Sequence, residues 1–212
     1  MIRKLTSGGY RLYSRKKDGK TGKRKNLGTF KRARPRKSTS GRSSFSSAAK
    51  KGAGSASIVA LREQLAKALA WHDASAGFDK VVEGLPADLR GRKPAGLPYS
   101  AWRLLEHLRI AQRDILDFCR DSHYVEKKWP DDYWPSTDAP PDPRAWDASV
   151  AAFRRDREAL QKLVADPKVD LFAKIPHGSG QTYLREVILI IDHNAHHIGQ
   201  LIVVRRLLGA WE

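Results

Sequence analysis

The stretch "TYLREVILIIDHNAHHIGQLIVVRRLLG", residues 182–209, superimposes a helix signal on a chemical one. Leu184, Val187, Ile188, Ile191, Ile198, Leu201 and Ile202 recur at helical spacing and spread apolar surface over most of the circumference. That is the pattern of a helix central to a bundle, predicted here to start near Thr182. At about 100° per residue, His193 and His197 lie about 40° apart, with Glu186 and Gln200 in the same narrow wedge. A polar stripe therefore runs down an apolar helix. Buried without partners it would cost on the order of a few kcal/mol per group. Two readings account for it. The i, i+4 spacing brings two imidazoles within reach of one ion, or the stripe is a polar core satisfied by neighbouring helices.

Three more helical segments precede this one. Ile58, Leu61, Leu65, Ala68, Leu69, His72 and Ala76 share a 3.6-residue period, which places His72 on an apolar stripe. After Pro98, Ser100 is suited to cap a second helix carrying Trp102, Leu105, Leu108, Ile115 and Cys119. At "PPDPRAW", Asp142 is placed to cap and Pro143 to open a third helix, which runs through Trp146, Val150, Phe153 and Leu160 and stops near Asp166 and Pro167. Four such segments with almost no β pattern between them predict an all-α four-helix bundle over residues 57–212.

Two histidines make a weak metal site, so a third ligand is expected from another helix. His107, flanked by Leu104, Leu105 and Leu108, is the best placed, and His72 is the second candidate, with a core or supporting role as its alternative. Three neutral imidazoles around a divalent ion leave a position open for water or a substrate atom, the arrangement of a catalytic site. Glu186 could orient a ligand or form a salt bridge with an arginine. His196 points about 100° away from His197, toward a surface or interface. His123 and His177 fall in loops, where spacing carries no argument.

The segment from about Ser57 to Trp211 resembles the DinB family of four-helix-bundle proteins. The residues that carry the resemblance are His107 in "LLEHLRIAQ" and the last-helix "HNAHHIGQLIVVRRLLG", which is similar to the family's HxxxHxGQ pattern followed by a leucine-arginine stretch ending in glycine. The resemblance implies that His107, His193 and His197 bind a divalent metal (nickel, zinc or iron). It also implies a homodimer and a transferase or isomerase chemistry using a low-molecular-weight thiol and a small-molecule substrate. No motif in the chain selects that thiol or a second substrate. A non-catalytic helical stress or binding protein is the alternative.

Residues 121–144 form a long connection containing "KKWPDDYWP". Trp129, Tyr133 and Trp134 with Asp131 and Asp132 suit a pocket mouth, and the rings could equally cover one end of the core.

Charge divides the chain. Residues 1–57 hold 18 basic and 1 acidic side chains, whereas 22 of each sign follow, so any nucleic-acid reading applies to the arm alone. Within it, residues 1–30 read as a basic β-hairpin, with Tyr10, Leu12 and Ser14 alternating before a turn-rich "DGKTGK". The hairpin resembles a small family of basic bacterial β-hairpin proteins in which a charged helix follows. Here residues 31–56 are rich in Ser, Gly, Lys and Pro and predict a disordered linker. Written with codons allowed for Arg32 to Ser47, a shift of two nucleotides yields an amphipathic, charge-paired helix, so the junction reads as a frameshift fusion. Nucleic-acid binding is expected only through residues 1–51, if at all. Cys119 is the single cysteine, which excludes an intrachain disulfide. With no apolar h-region at the N-terminus and no apolar run expected to span a membrane, the chain reads as soluble and cytoplasmic.

Overall fold

The computed structural model describes the backbone of residues 2–4, 10–17, 21, 24–30 and 47–211, with side chains from residue 56 onward and at Thr21. The chain divides into two units, Met1–Ser46 and Ser47–Glu212. In the first, strands β1 (Ile2–Lys4), β2 (Tyr10–Lys17) and β3 (Arg24–Phe30) lie antiparallel in the order β1-β2-β3. The proposed frameshift junction and most of the expected linker, residues 31–46, lie outside the described residues. The second unit contains five helices: α1 (Ser47–Ala68), α2 (Phe78–Val82), α3 (Ala101–Arg120), α4 (Ala145–Ala165) and α5 (Tyr183–Leu207). The backbone of residues 47–56, within the predicted linker, belongs to α1.

Four of these helices are long, and α3 is the one with the most extensive packing. It packs against both α4 and α5, and α1 lies along α4. Leu104, Leu105 and Leu108 on α3 are completely buried, each contributing about 2 kcal/mol by removal from water. They meet Phe78, Trp146, Phe153, Leu201 and Val204 in one cluster, while Leu65, Leu116, Leu160 and Val187 build a second. Side chains on α1 and α4 tie those helices to each other's backbone. Gln161 Nε2 donates to the Ala66 carbonyl at 2.8 Å, and Arg62 Nη1 donates to the Val164 carbonyl at 2.6 Å.

The helix ends follow local chemistry. Ser100 caps α3 by accepting from the Arg103 amide at 3.2 Å, and Thr182 caps α5 by accepting from the Arg185 amide at 3.2 Å. Replacing Ser100 with alanine is expected to lower stability by about 1 kcal/mol, read as a shift in the denaturant midpoint. Helix α5 closes in a Schellman turn. The Ala210 and Gly209 amides donate to the Arg205 and Arg206 carbonyls, and Gly209 takes φ 71°, which glycine adopts without strain.

Three expectations need correction. Asp142 does not cap α4 directly. Its carboxylate accepts from the Arg144 amide at 2.7 Å, and α4 starts after Arg144, so the aspartate shapes the turn ahead of the helix. The first apolar stripe outlasts its helix. The Ala70 and Trp71 amides bond three residues back in a tightened last turn, and His72 lies exposed in the loop beyond. Finally, α5 is not covered all round. It packs mainly on α1, α2 and α3, and Ile188 (52%), Val203 (46%) and Leu207 (58%) remain exposed. By length and composition α5 could cross a membrane, contrary to the sequence expectation, and 28% of its most apolar window is buried. The face it packs into the bundle carries Glu186, Asn194 and Arg205.

Candidate metal centre

Helix α5 places His193 and His197 one turn apart on the side facing α3, and α3 presents His107 between them from the opposite wall. His107 Nε2 lies 3.0 Å from His193 Nε2 and 3.1 Å from His197 Nε2. Ligands bound to one zinc-like ion at about 2.0–2.1 Å in tetrahedral geometry sit roughly 3.3 Å apart. The trio is therefore nearly at the spacing of ligands sharing an ion.

The protons sharpen this point. His107 Nδ1 lies 2.8 Å from the Tyr133 carbonyl, which can only accept, so Nδ1 carries the hydrogen and Nε2 is bare. His197 Nδ1 likewise donates to Gln200 Oε1 at 2.7 Å, leaving its Nε2 bare. Burial holds the rings neutral. His193 and His197 are each brought down to about 4 by burial, with neighbouring histidines adding to the effect. His107 is lowered by the same cause, against the pull of the Tyr133 carbonyl. The bare Nε2 atoms of His107 and His197, 3.1 Å apart, repel unless a cation sits between them, and His193 Nε2 lies at the same range, so the residues fit a divalent ion held by His107, His193 and His197.

The surroundings of the trio come from the long connection after α3. Trp134 stacks face to face on His107 with ring centroids 3.9 Å apart, and the Arg103 guanidinium lies over the Trp134 ring at 5.7 Å. Tyr133 acts at both ends. Its carbonyl orients His107, and its hydroxyl donates to Asp114 Oδ2 at 2.7 Å. Tyr124 donates to the same carboxylate at 3.1 Å. Burial and the Asp114 charge hold both phenols protonated, raising Tyr124 to about 12 and Tyr133 further. Asp114 thus fastens the loop that orients a histidine. Replacing Tyr133 with phenylalanine should weaken divalent-ion binding about tenfold with little change in helix content, measured by titration with a competing chelator.

Behind α5, a relay fixes the orientation of the next residue. Gln112 Nε2 donates to the Phe153 carbonyl at 2.7 Å, and Asn194 Nδ2 donates to Gln112 Oε1 at 3.0 Å. This leaves Asn194 Oδ1 and His193 Nδ1 as buried atoms without a hydrogen bond of full geometry. Asn194 nevertheless favours protonation of the His193 ring, so a small adjustment would pair the two.

A cavity of about 560 Å³ opens beside the trio. His107, His193, Asp114, Tyr133, Glu186 and Arg185 contribute to its wall, with Phe118 and Trp129. Of the residues singled out from sequence, the structure brings His107, His193, His197 and Gln200 into contact. Glu186 is buried in the cavity wall and paired with Arg185 Nη1 at 2.6 Å, the salt bridge that was its alternative role. His72 does not join them, because the chain has left α1 before reaching it. His196 is exposed, its ring edge-on to His197 at 4.8 Å. His177, for which spacing gave no argument, reaches the cavity and bonds the Phe118 carbonyl at 2.8 Å. Asp131 and Asp132 lie outside the wall, and Asp132 instead accepts from the Lys128 amide. Asp114 went unnoticed. A signal existed, since His107, Ala111 and Asp114 share one face of α3 at i, i+4, i+7.

A sequence model of the DinB superfamily matches residues 70–201. The chain belongs to the DinB superfamily. This superfamily includes metal-dependent enzymes, and the matched span contains His107, His193 and His197. No curated protein and no solved structure is significantly similar to the chain.

Proposed function

We propose that this DinB superfamily protein is a metal-dependent enzyme, a transferase or isomerase, that brings a low-molecular-weight thiol and a small second substrate into the cavity beside His107, His193 and His197. One observation carries the metal: the Nε2 atoms of His193 and His197 lie 3.0 and 3.1 Å from that of His107, at the wall of an open cavity. Nickel, zinc and iron all suit imidazole ligands. When bound, such an ion acts as a Lewis acid and lowers the pKa of a coordinated thiol or water.

The chain's own groups do the rest. Tyr133 and Gln200 keep the hydrogens of His107 and His197 on Nδ1, so each Nε2 stays available. Trp134 shields the His107 ring, and the aromatic wall of Phe118 and Trp129 excludes water from an apolar part of a ligand. The thiol reading is supported by the family, and the chain has no sulfur nucleophile of its own to offer. Cys119 is the only cysteine, is buried, and has its thiol pushed up to about 12 by burial and by the Glu186 charge. A thiolate used in this reaction would therefore arrive with a substrate.

The test uses cobalt(II)-loaded full-length protein and L-cysteine, glutathione and 2-mercaptoethanol as probes. A sulfur-to-cobalt charge-transfer band on adding a thiol, absent in His193→Ala, is the expected result. Cobalt binding without that band for any probe would leave a metal protein and remove the thiol. No cobalt binding would remove both.

A further inference from the structure

The cavity beside the trio follows α3 and α5 well beyond the histidines. Arg185, Leu189 and His193 line it at helical spacing along one stripe of α5. His193 stands at one end of that stripe and Arg185 at the other, eight residues or about 12 Å away along the helix. A long helical side chain leans toward the N-terminus, so the Arg185 side chain extends away from the histidines.

Among the described residues, Arg185 is the only lysine or arginine that lines this cavity. The protein satisfies only part of its guanidinium. Nη1 donates to Glu186 Oε1 at 2.6 Å, and no second acceptor meets the guanidinium among the described residues. The Arg185 side chain stays 56% exposed, whereas that of Glu186 is 3% exposed. A pair elsewhere in the bundle shows the contrast. Arg109 closes its fork on Glu106, with Nε and Nη2 each donating to a carboxylate oxygen at 2.8 Å. Arg185 therefore keeps an open edge, and the buried Glu186 fixes where that edge lies. The other carboxylates of the cavity leave it open. Asp114 accepts from the hydroxyls of Tyr124 and Tyr133, and Glu126 is exposed to solvent.

We propose that Arg185 determines substrate specificity by taking the terminal carboxylate of an elongated substrate whose other end reaches His107, His193 and His197. The inference rests on reading this cavity as the substrate site, and adds the class of molecule it accepts. A carboxylate is planar and matches an open guanidinium edge in two parallel hydrogen bonds. The N-terminal end of α5 adds partial positive charge there. The loop before α5 also lines the cavity, with Ser179 and Gln181. It packs directly on α3, since a Cβ on Gly178 would stand 2.9 Å from Phe118 Cζ. Ala111, Ile115 and Leu189 supply apolar wall for the chain that joins the two ends of the substrate. A molecule as short as 2-mercaptoethanol cannot touch both ends.

The test titrates metal-free full-length protein by calorimetry with 8-mercaptooctanoate and with 8-mercaptooctan-1-ol, which differ at the tail alone. The acid is expected to bind about tenfold more tightly, the scale of charge-assisted hydrogen bonds. Arg185→Gln is expected to erase that difference without weakening the alcohol. Because this change leaves Glu186 without its partner, circular dichroism checks the fold. Where Arg185→Gln does not fold, the double variant Arg185→Gln, Glu186→Gln, with no buried charge, must erase the difference instead. Equal affinities in the wild type, or an advantage for the acid that survives the substitution, would overturn the proposal. Cobalt(II)-loaded protein separates this inference from the thiol. A preference for the acid without a sulfur-to-cobalt band keeps the carboxylate site and removes the thiol. A band with equal affinity for acid and alcohol keeps the thiol and removes the carboxylate site.

Discussion

Replacing His107 with alanine is expected to lower the affinity for a divalent ion about a thousandfold, while the metal-free protein remains folded. Structural zinc sites bind with roughly 10–16 kcal/mol shared among their ligands, so one imidazole contributes about 4 kcal/mol. His107 is also the central member of the trio, since its Nε2 makes both short contacts, to His193 and to His197. With it gone, two nitrogens on one helix remain, and a pair is a poor chelate. The measurement is metal content after dialysis against a weak chelator, beside the gain in melting temperature on adding the ion. Wild-type protein should hold about one ion per chain and melt higher when loaded, and the variant should do neither. Equal metal content in the two proteins would exclude the trio as the site.

Acid gives an independent view of the same cluster. In the unfolded chain each histidine titrates near its ordinary 6.5, whereas burial brings His193 and His197 down to about 4 in the fold. Between those values the unfolded state binds more protons than the folded one. Metal-free protein should therefore lose stability progressively as pH falls from about 6.5 to about 4, and His193→Ala should lose less over that window. Thermal melts across the range, with a chelator present, decide it.

Much of this arrangement could be read along the chain, because the features concerned are local. The caps at Ser100 and Thr182 and the single helical face shared by His193 and His197 depend on residues within a turn of one another. His107 could be chosen because leucines on both sides force its face inward. His72 was misplaced for a related reason. Periodicity reports which residues would share a face if the helix continued, and α1 ends at Ala68. The outer face of α5 was misjudged because an all-apolar circumference does not say how many neighbours will cover it. Tyr133 and Trp134 were visible as aromatic residues in a long connection, but their action on His107 requires the loop to fold back across 26 residues. Asp114 acquires its role only through that return, since its carboxylate holds the hydroxyls of Tyr124 and Tyr133.

Replacing Phe153 with alanine should destabilise the bundle by about 4 kcal/mol yet leave metal binding nearly intact. The side chain is 1% exposed and stacks on Phe78 at 3.9 Å, where α4 meets α2 within the cluster built on Leu104 and Leu108. Truncating a buried phenylalanine costs about 3–5 kcal/mol, from lost burial and from the void left behind. The link from Phe153 toward the histidines runs through its main-chain carbonyl, which accepts from Gln112, and that survives the substitution. Gln112→Leu is the contrasting change. It removes both the donor to Phe153 and the acceptor for Asn194, loosening the residue beside His193. About tenfold weaker ion binding is expected there, the scale of lost supporting interactions around a metal site. Chemical denaturation and metal titration on both variants should therefore move differently. Phe153→Ala should shift mainly stability, whereas Gln112→Leu should shift affinity as well, because it leaves the buried Asn194 amide without its acceptor. If Phe153→Ala lost the ion while still folded, the site would depend on core packing rather than on the hydrogen-bond relay from Phe153 through Gln112 to Asn194.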